Sequence, residues 1–195
     1  MDKTMNQCIL CSQSSLLKNS HIIPKFAIQY LKDTSIGIRN TKKPNVRIQD
    51  GAKTYMLCES CEQLFSTYEK YFSEDIFIPF LNNEKNTFDY NEKLFYFMTS
   101  ISWRILYYEL LNSEECYKDL TKEQIKFYKN TEMVLREFLL GKTTDIENIQ
   151  HHICFFSSYN NLSWDNKACL KNNDLTSNLV TCVYWSNNFI LSSIK

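Results

Sequence analysis

Four cysteines in two close pairs, Cys8 with Cys11 and Cys58 with Cys61, carry the plainest chemistry in this 195-residue chain. A Cys-x-x-Cys pair presents two thiolates from one tight knuckle. Two such pairs brought together by the intervening chain supply the four ligands of a tetrahedral Zn²⁺ site. The other cysteines, Cys116, Cys154, Cys169 and Cys182, stand alone and read as small buried hydrophobes. Between the two pairs lies the tract Ser20-His21-Ile22-Ile23-Pro24.

The elements that must position these residues follow from local patterns. Pro24 suits the start of a helix, and Ala27, Tyr30 and Leu31 fall on one side of a segment over 24–33. Asn40 to Asn45 is polar and broken by Lys-Lys-Pro, which predicts a loop. Val46-Arg47-Ile48-Gln49 alternates apolar and polar, Asp50-Gly51 carries positive-φ turn chemistry, and Thr54 to Leu57 returns; together these predict a β-hairpin that delivers the chain to Cys58. From Glu59, the spacing of Leu64, Phe65, Tyr68, Tyr71 and Phe72 predicts a helix that starts at the second cysteine pair.

Beyond Pro79, Asn82 to Asn86 reads as a polar linker. Glu92 to Leu111 reads as a long aromatic-rich helix. Within it Arg104 is a cation in an apolar run, for which an ion pair with an acidic residue of the zinc module, Glu69 among them, is expected. Thr121 with Gln124 forms a capping box for a helix that ends at Gly141. Residues 153–159, 179–185 and 189–194 have strand character, the last two joined by Ser186-Asn187-Asn188.

Composition narrows the functional classes. An apolar content of 44% is enough for a packed core. No run of about 18 apolar residues appears, which excludes a membrane helix. Met1 to Gln7 lacks the apolar stretch of a signal peptide, so a reducing cytoplasm is expected. The net charge of zero is unevenly spread: residues 1–58 carry nine Lys/Arg against three Asp/Glu, and residues 59–98 three against eight. A basic amino-terminal segment is suited to phosphate, although a four-thiolate zinc site of net charge about −2 offsets part of it. The glycines, Gly37, Gly51 and Gly141, form no phosphate-binding loop.

Cys8-x-x-Cys11, Ser20-His21-Ile22-Ile23-Pro24 and Leu57-Cys58-Glu59-Ser60-Cys61 together resemble the zinc-bearing HNH, or ββα-metal, endonucleases over roughly the first 75 residues. Those enzymes typically show a cysteine pair, Asp-His-Ile-x-Pro, a catalytic asparagine and Leu-Cys-x-x-Cys-Asn/His. The resemblance implies that the four cysteines are structural and that His21 is the general base. It also implies a catalytic divalent ion, Mg²⁺ or Mn²⁺, that polarises the phosphate.

Three positions depart from the family pattern. Ser20 stands where a metal-binding aspartate or histidine is usual, Lys53 and Thr54 where asparagine often orients the histidine, and Glu62 where asparagine or histidine follows the second pair. Glu62 and Glu69 lie about two helical turns, roughly 10 Å of rise, apart, too far for both to bind one ion directly without long side-chain reach; either is a candidate for one hard-oxygen ligand of the catalytic metal, with Asp50 a further candidate. Arg47 is the expected phosphate clamp.

The expected fold class is α+β: a treble-clef, HNH-like zinc module over 1–80 (knuckle, β-hairpin, helix), packed with a helical and β part over 81–195. The expected function is metal-dependent hydrolysis of phosphodiester bonds in nucleic acid, DNA more than RNA; in a bacterium, analogy with the family implies defence. The alternative is a catalytically inactive, zinc-finger-like module that binds nucleic acid or protein. The carboxy-terminal half is the expected face for a protein partner.

Overall fold

The computed structural model describes residues 5–34, 38–39, 45–112, 121–144, 146, 149–155, 180–185 and 189–194. The chain is mixed α/β, with small antiparallel sheets, and divides into two compact units, Met1–Asp145 and Ile146–Lys195.

The first unit opens with two short strands, β1 (Asn6–Gln7) and β2 (Ser14–Ser15), paired around the first cysteine knuckle. Strand β3 (Lys18–His21) runs into α1 (Lys25–Thr34), which begins one residue after Pro24. Two further short strands, β4 (Ile38–Arg39) and β5 (Arg47–Ile48), pair with each other. Strand β6 (Lys53–Leu57) then leads through Cys58 into α2 (Glu59–Phe72).

The expected hairpin between 46–49 and 54–57 is not formed. β6 pairs antiparallel with β3, with His21 opposite Lys53 and Asn19 opposite Tyr55, while β5 takes β4 as its partner. Alternation specifies that a segment is extended but not which strand it meets. Here the amide of Ile22 donates to the Ala52 carbonyl (3.0 Å) and draws the returning chain to β3. Gly51 lies outside the positive-φ region. Its role is close approach: a Cβ there would lie 2.9 Å from Cδ1 of Ile28 on α1.

α2 passes through one π-helical turn (Ser73–Phe77) into the short α3 (Ile78–Leu81). α4 (Glu92–Leu111) starts at Asn91, whose side chain accepts from the Leu94 amide (3.0 Å). It packs on α2 and on α5 (Lys122–Leu139). The capping box at Thr121 and Gln124 is present, and Gly141, at φ 68°, closes α5 as its position predicted.

Burial of Phe65, Phe72, Phe97, Met98, Ile101 and Trp103 makes the core of this unit. Phe72 and Phe97 stack with ring centroids 4.2 Å apart, which locks α2 against α4. The Trp103 indole N–H donates to Glu132 (2.7 Å), and the Tyr96 hydroxyl to the Leu139 carbonyl (2.9 Å), so polar tips on α4 find partners on α5 and at its end. α4, though beyond residue 80, thus shares its core with the helix that begins at the second cysteine pair.

The second unit is a three-stranded antiparallel sheet of β7 (Gln150–Phe155), β8 (Val180–Trp185) and β9 (Phe189–Ile194), with β9 central. Residues 40–44 of the expected Asn40–Asn45 loop, the ends of the first two expected strands, the Ser186–Asn188 turn, Cys116 and Cys169 lie outside the described residues. Among the described residues no helix is long and apolar enough to cross a membrane.

Candidate functional site

The two knuckles meet. In the first, Cys8 N–H donates to the Gln13 carbonyl (2.8 Å) and Ser12 N–H to the Cys8 carbonyl (2.7 Å), with Ser12 turned to φ 61°. The Ile9 amide ties this turn to the Met56 carbonyl at the end of β6 (2.9 Å). In the second, Cys58 is the residue before α2, its amide donates to Cys8 Sγ (3.3 Å), and Cys61 sits on the first turn.

The four ligand atoms lie within 4.8 Å of one another, so the cluster can hold a metal ion such as zinc. Burial raises the Cys61 thiol well above the ordinary thiol range, helped by the neighbouring thiols, and raises the Cys11 thiol as well. Burial acts the same way on Cys58, but bonds from the Ser60 hydroxyl and the Cys61 amide outweigh it and bring that thiol down to about 6. A cation is the natural means of holding the remaining thiols ionised together.

Nine and ten residues after Cys11, at the end of β3, a second cluster forms. Side chains of a strand alternate between faces, so Ser20 and His21 part company. Ser20 is buried and its hydroxyl donates to Glu62 Oε2 on α2 (2.6 Å). His21 is half-buried, on the face shared with its cross-strand neighbour Lys53 and with the exposed Tyr55. Its Nε2 lies 3.0 Å from Asp50 Oδ1, which also accepts the Gly51 amide (2.9 Å), while Lys53 pairs with Oδ2.

Lys53 chiefly holds the Asp50 carboxyl far below its ordinary value of 3.8; partial burial opposes this, and His21 and the Gly51 amide add to the lowering. A carboxylate whose pKa falls on folding stabilises the fold above its unfolded value and loses that contribution as pH drops toward the folded one. Stability should therefore decline below about pH 4, modestly because the Asp50 side chain is 35% exposed. Asp50→Asn should flatten that part of the curve, read as urea midpoints taken between about pH 5 and pH 2.

The carboxylates proposed as hard ligands are not brought together. Glu62 meets Ser20, Asp50 meets His21 and Lys53, and Glu69 pairs with Arg104 (2.7 Å), the ion pair expected from the cation inside α4. Among the described residues only the four cysteines form a group of three or more metal-ligating side chains. Arg47 is exposed on β5, opposite Arg39 in register. One contact was not legible in the sequence: Arg104 Nη1 also donates to the main-chain carbonyl of His21 (3.1 Å). The isolated cation in an apolar helix marked the residue but not this acceptor. No protein-family model, curated protein or solved structure matches the chain.

Proposed function

We propose that this chain is an HNH-like endonuclease that hydrolyses phosphodiester bonds in nucleic acid, with His21 as general base beside a structural zinc in a treble-clef frame. The observation that carries the reading is the His21–Asp50 pair, seated where β3 meets β6 and directly ahead of the cysteine-bearing α2. Tetrahedral zinc with Zn–S bonds near 2.3 Å needs sulfurs about 3.8 Å apart, and Cys11 Sγ lies 3.7 Å from Cys58 Sγ.

Asp50, ionised, accepts from Nε2–H of His21, which selects the tautomer with the lone pair on Nδ1. Nδ1 can then take the proton of an attacking water, and Asp50 stabilises the imidazolium that results. The Lys53 ammonium at the same strand end, with Arg47 and the surplus of cations over residues 1–58, provides positive charge to meet phosphates. DNA is the preferred substrate on the family resemblance.

A divalent cation, when bound, would neutralise phosphate charge. Glu69 is committed to Arg104, which leaves Glu62 as the hard-oxygen donor at β3; one carboxylate suffices for Mg²⁺ or Mn²⁺, which retain several waters.

The Ser20–Glu62 hydrogen bond favours a second reading. Two positions where the resembling enzymes carry metal ligands are here closed on each other, as suits a zinc module that binds nucleic acid or protein without cutting. The two readings separate in one assay of purified, zinc-quantified protein on single- and double-stranded DNA and on RNA, with Mg²⁺ or Mn²⁺. Cleavage that depends on the added ion is expected; binding without cleavage under every condition would establish the second reading.

A further inference from the structure

Arg104 makes a set of contacts that a tie between two helices does not require. It is 3% exposed within α4. Nη1 contacts Glu69 Oε1 on α2 (2.7 Å) and donates to the His21 carbonyl on β3 (3.1 Å); Nε donates to the Ser100 carbonyl (3.3 Å), and the guanidinium lies 5.3 Å from the Phe65 ring centroid. Nη2 is buried with no hydrogen-bond partner among the described residues. The strongest arginine–carboxylate geometry uses two parallel N–H bonds to both oxygens. Here a single nitrogen serves both the carboxylate and the His21 main chain, so the arginine is set for the histidine at the expense of the fork.

We infer that Arg104 is a positioning residue for His21. The imidazole is held through Nε2 by Asp50, and the same residue's carbonyl is held from the other element by Arg104. With both ends fixed, the peptide at the end of β3 cannot rotate without breaking one of these bonds, and Nδ1 keeps one direction. Glu69 in turn holds the guanidinium, so a helix of the zinc module and a helix beyond residue 80 both bear on the histidine. This role rests on His21 being the base; the effect on the ring itself does not.

Arg104→Met alone leaves the half-buried Glu69 without its partner and is expected to destabilise the protein, so the informative variant is the double Arg104→Met/Glu69→Met, which replaces both charges with apolar side chains of similar size. Its zinc content and thermal midpoint should stay close to those of the parent. Long-range ¹H–¹⁵N spectra should show a single Nε2–H tautomer of His21 in the parent and exchange between tautomers in the double variant. With nucleic acid as substrate, kcat should fall about tenfold to a hundredfold at unchanged KM. Glu69→Gln, which keeps the arginine and its bond to the His21 carbonyl, should retain the tautomer and kcat.

A double variant with the parent's His21 spectrum and kcat would reduce Arg104 to an interhelical tie. If the double variant does not fold, Glu69→Gln decides: loss of the tautomer there overturns the inference. A parent protein that never cleaves would sink the endonuclease reading, yet the spectra would still say whether Arg104 holds the ring.

Discussion

Replacing Cys58 by serine should release the zinc assigned to the four-cysteine cluster and unfold the amino-terminal unit in the same step. Structural zinc contributes an apparent ~10–16 kcal/mol in small zinc-finger peptides at neutral pH. Whole domains are stable by only ~5–15 kcal/mol, so the loss of one ligand competes with the entire margin. Cys58 is a severe place to lose one: it immediately precedes α2, it lies 3.7 Å from Cys11, and its amide joins the two knuckles through Cys8.

The knuckle itself is made of turns and two-residue strands, and apart from the cysteines it is held by the buried Leu10 and the Ile9–Met56 main-chain bond, a small anchor beside four metal bonds. Metal content by atomic emission and helix content by circular dichroism should therefore fall together. A Cys58→Ser protein that stays folded with its metal would contradict a structural site. Because burial holds the Cys61 and Cys11 thiols protonated at neutral pH without metal, loading must expel protons. Metal affinity should accordingly weaken as pH falls, measurable as faster transfer to a chelating dye in acid.

His21→Ala should abolish most cleavage while leaving zinc content and thermal midpoint nearly unchanged. General-base catalysis contributes about 10²- to 10⁴-fold, and a half-buried side chain at a strand end leaves little cavity when truncated. The loss should fall on kcat, since a general base of the kind proposed for His21 acts on the attacking water and not on the grip of the substrate. Asp50→Asn should lose less, because the amide can still accept from Nε2–H but no longer stabilises the imidazolium. A folded, zinc-loaded His21→Ala protein that cuts as well as the parent would remove His21 from the mechanism.

Helices were the legible part of this fold. The spacing of Phe65, Tyr68 and Phe72, the aromatic-rich run from Glu92, the Thr121–Gln124 capping box and the Gly141 stop are all local signals, and α2, α4 and α5 appear where they point. Strand partners were not legible. Val46 to Leu57 carries every local mark of a hairpin, yet β6 left β5 for β3, a strand whose residues, Lys-Asn-Ser-His, have no β signature of their own. Packing decides such a choice: pairing with β3 puts Ser20 beneath the sheet against Glu62, buries Met56 and Leu57, and brings Gly51 under Ile28.

By itself the sequence determined the four-cysteine cluster, able to hold a metal ion such as zinc, and the helix that begins at its second pair, because ligand type and close spacing act over a few residues and need only a fold that closes the chain. The tertiary structure alone decided what surrounds His21. Asp50, 29 residues away, reaches its ring, and Arg104, 83 residues away, reaches its carbonyl. It also decided that Glu62 serves a serine, whereas the cation inside an apolar helix had already pointed Arg104 toward Glu69. The contacts of His21 and Glu62 are long-range ones set by β3–β6 pairing and by the packing of α4 on α2, and no local pattern encodes which carboxylate a strand-end histidine will meet.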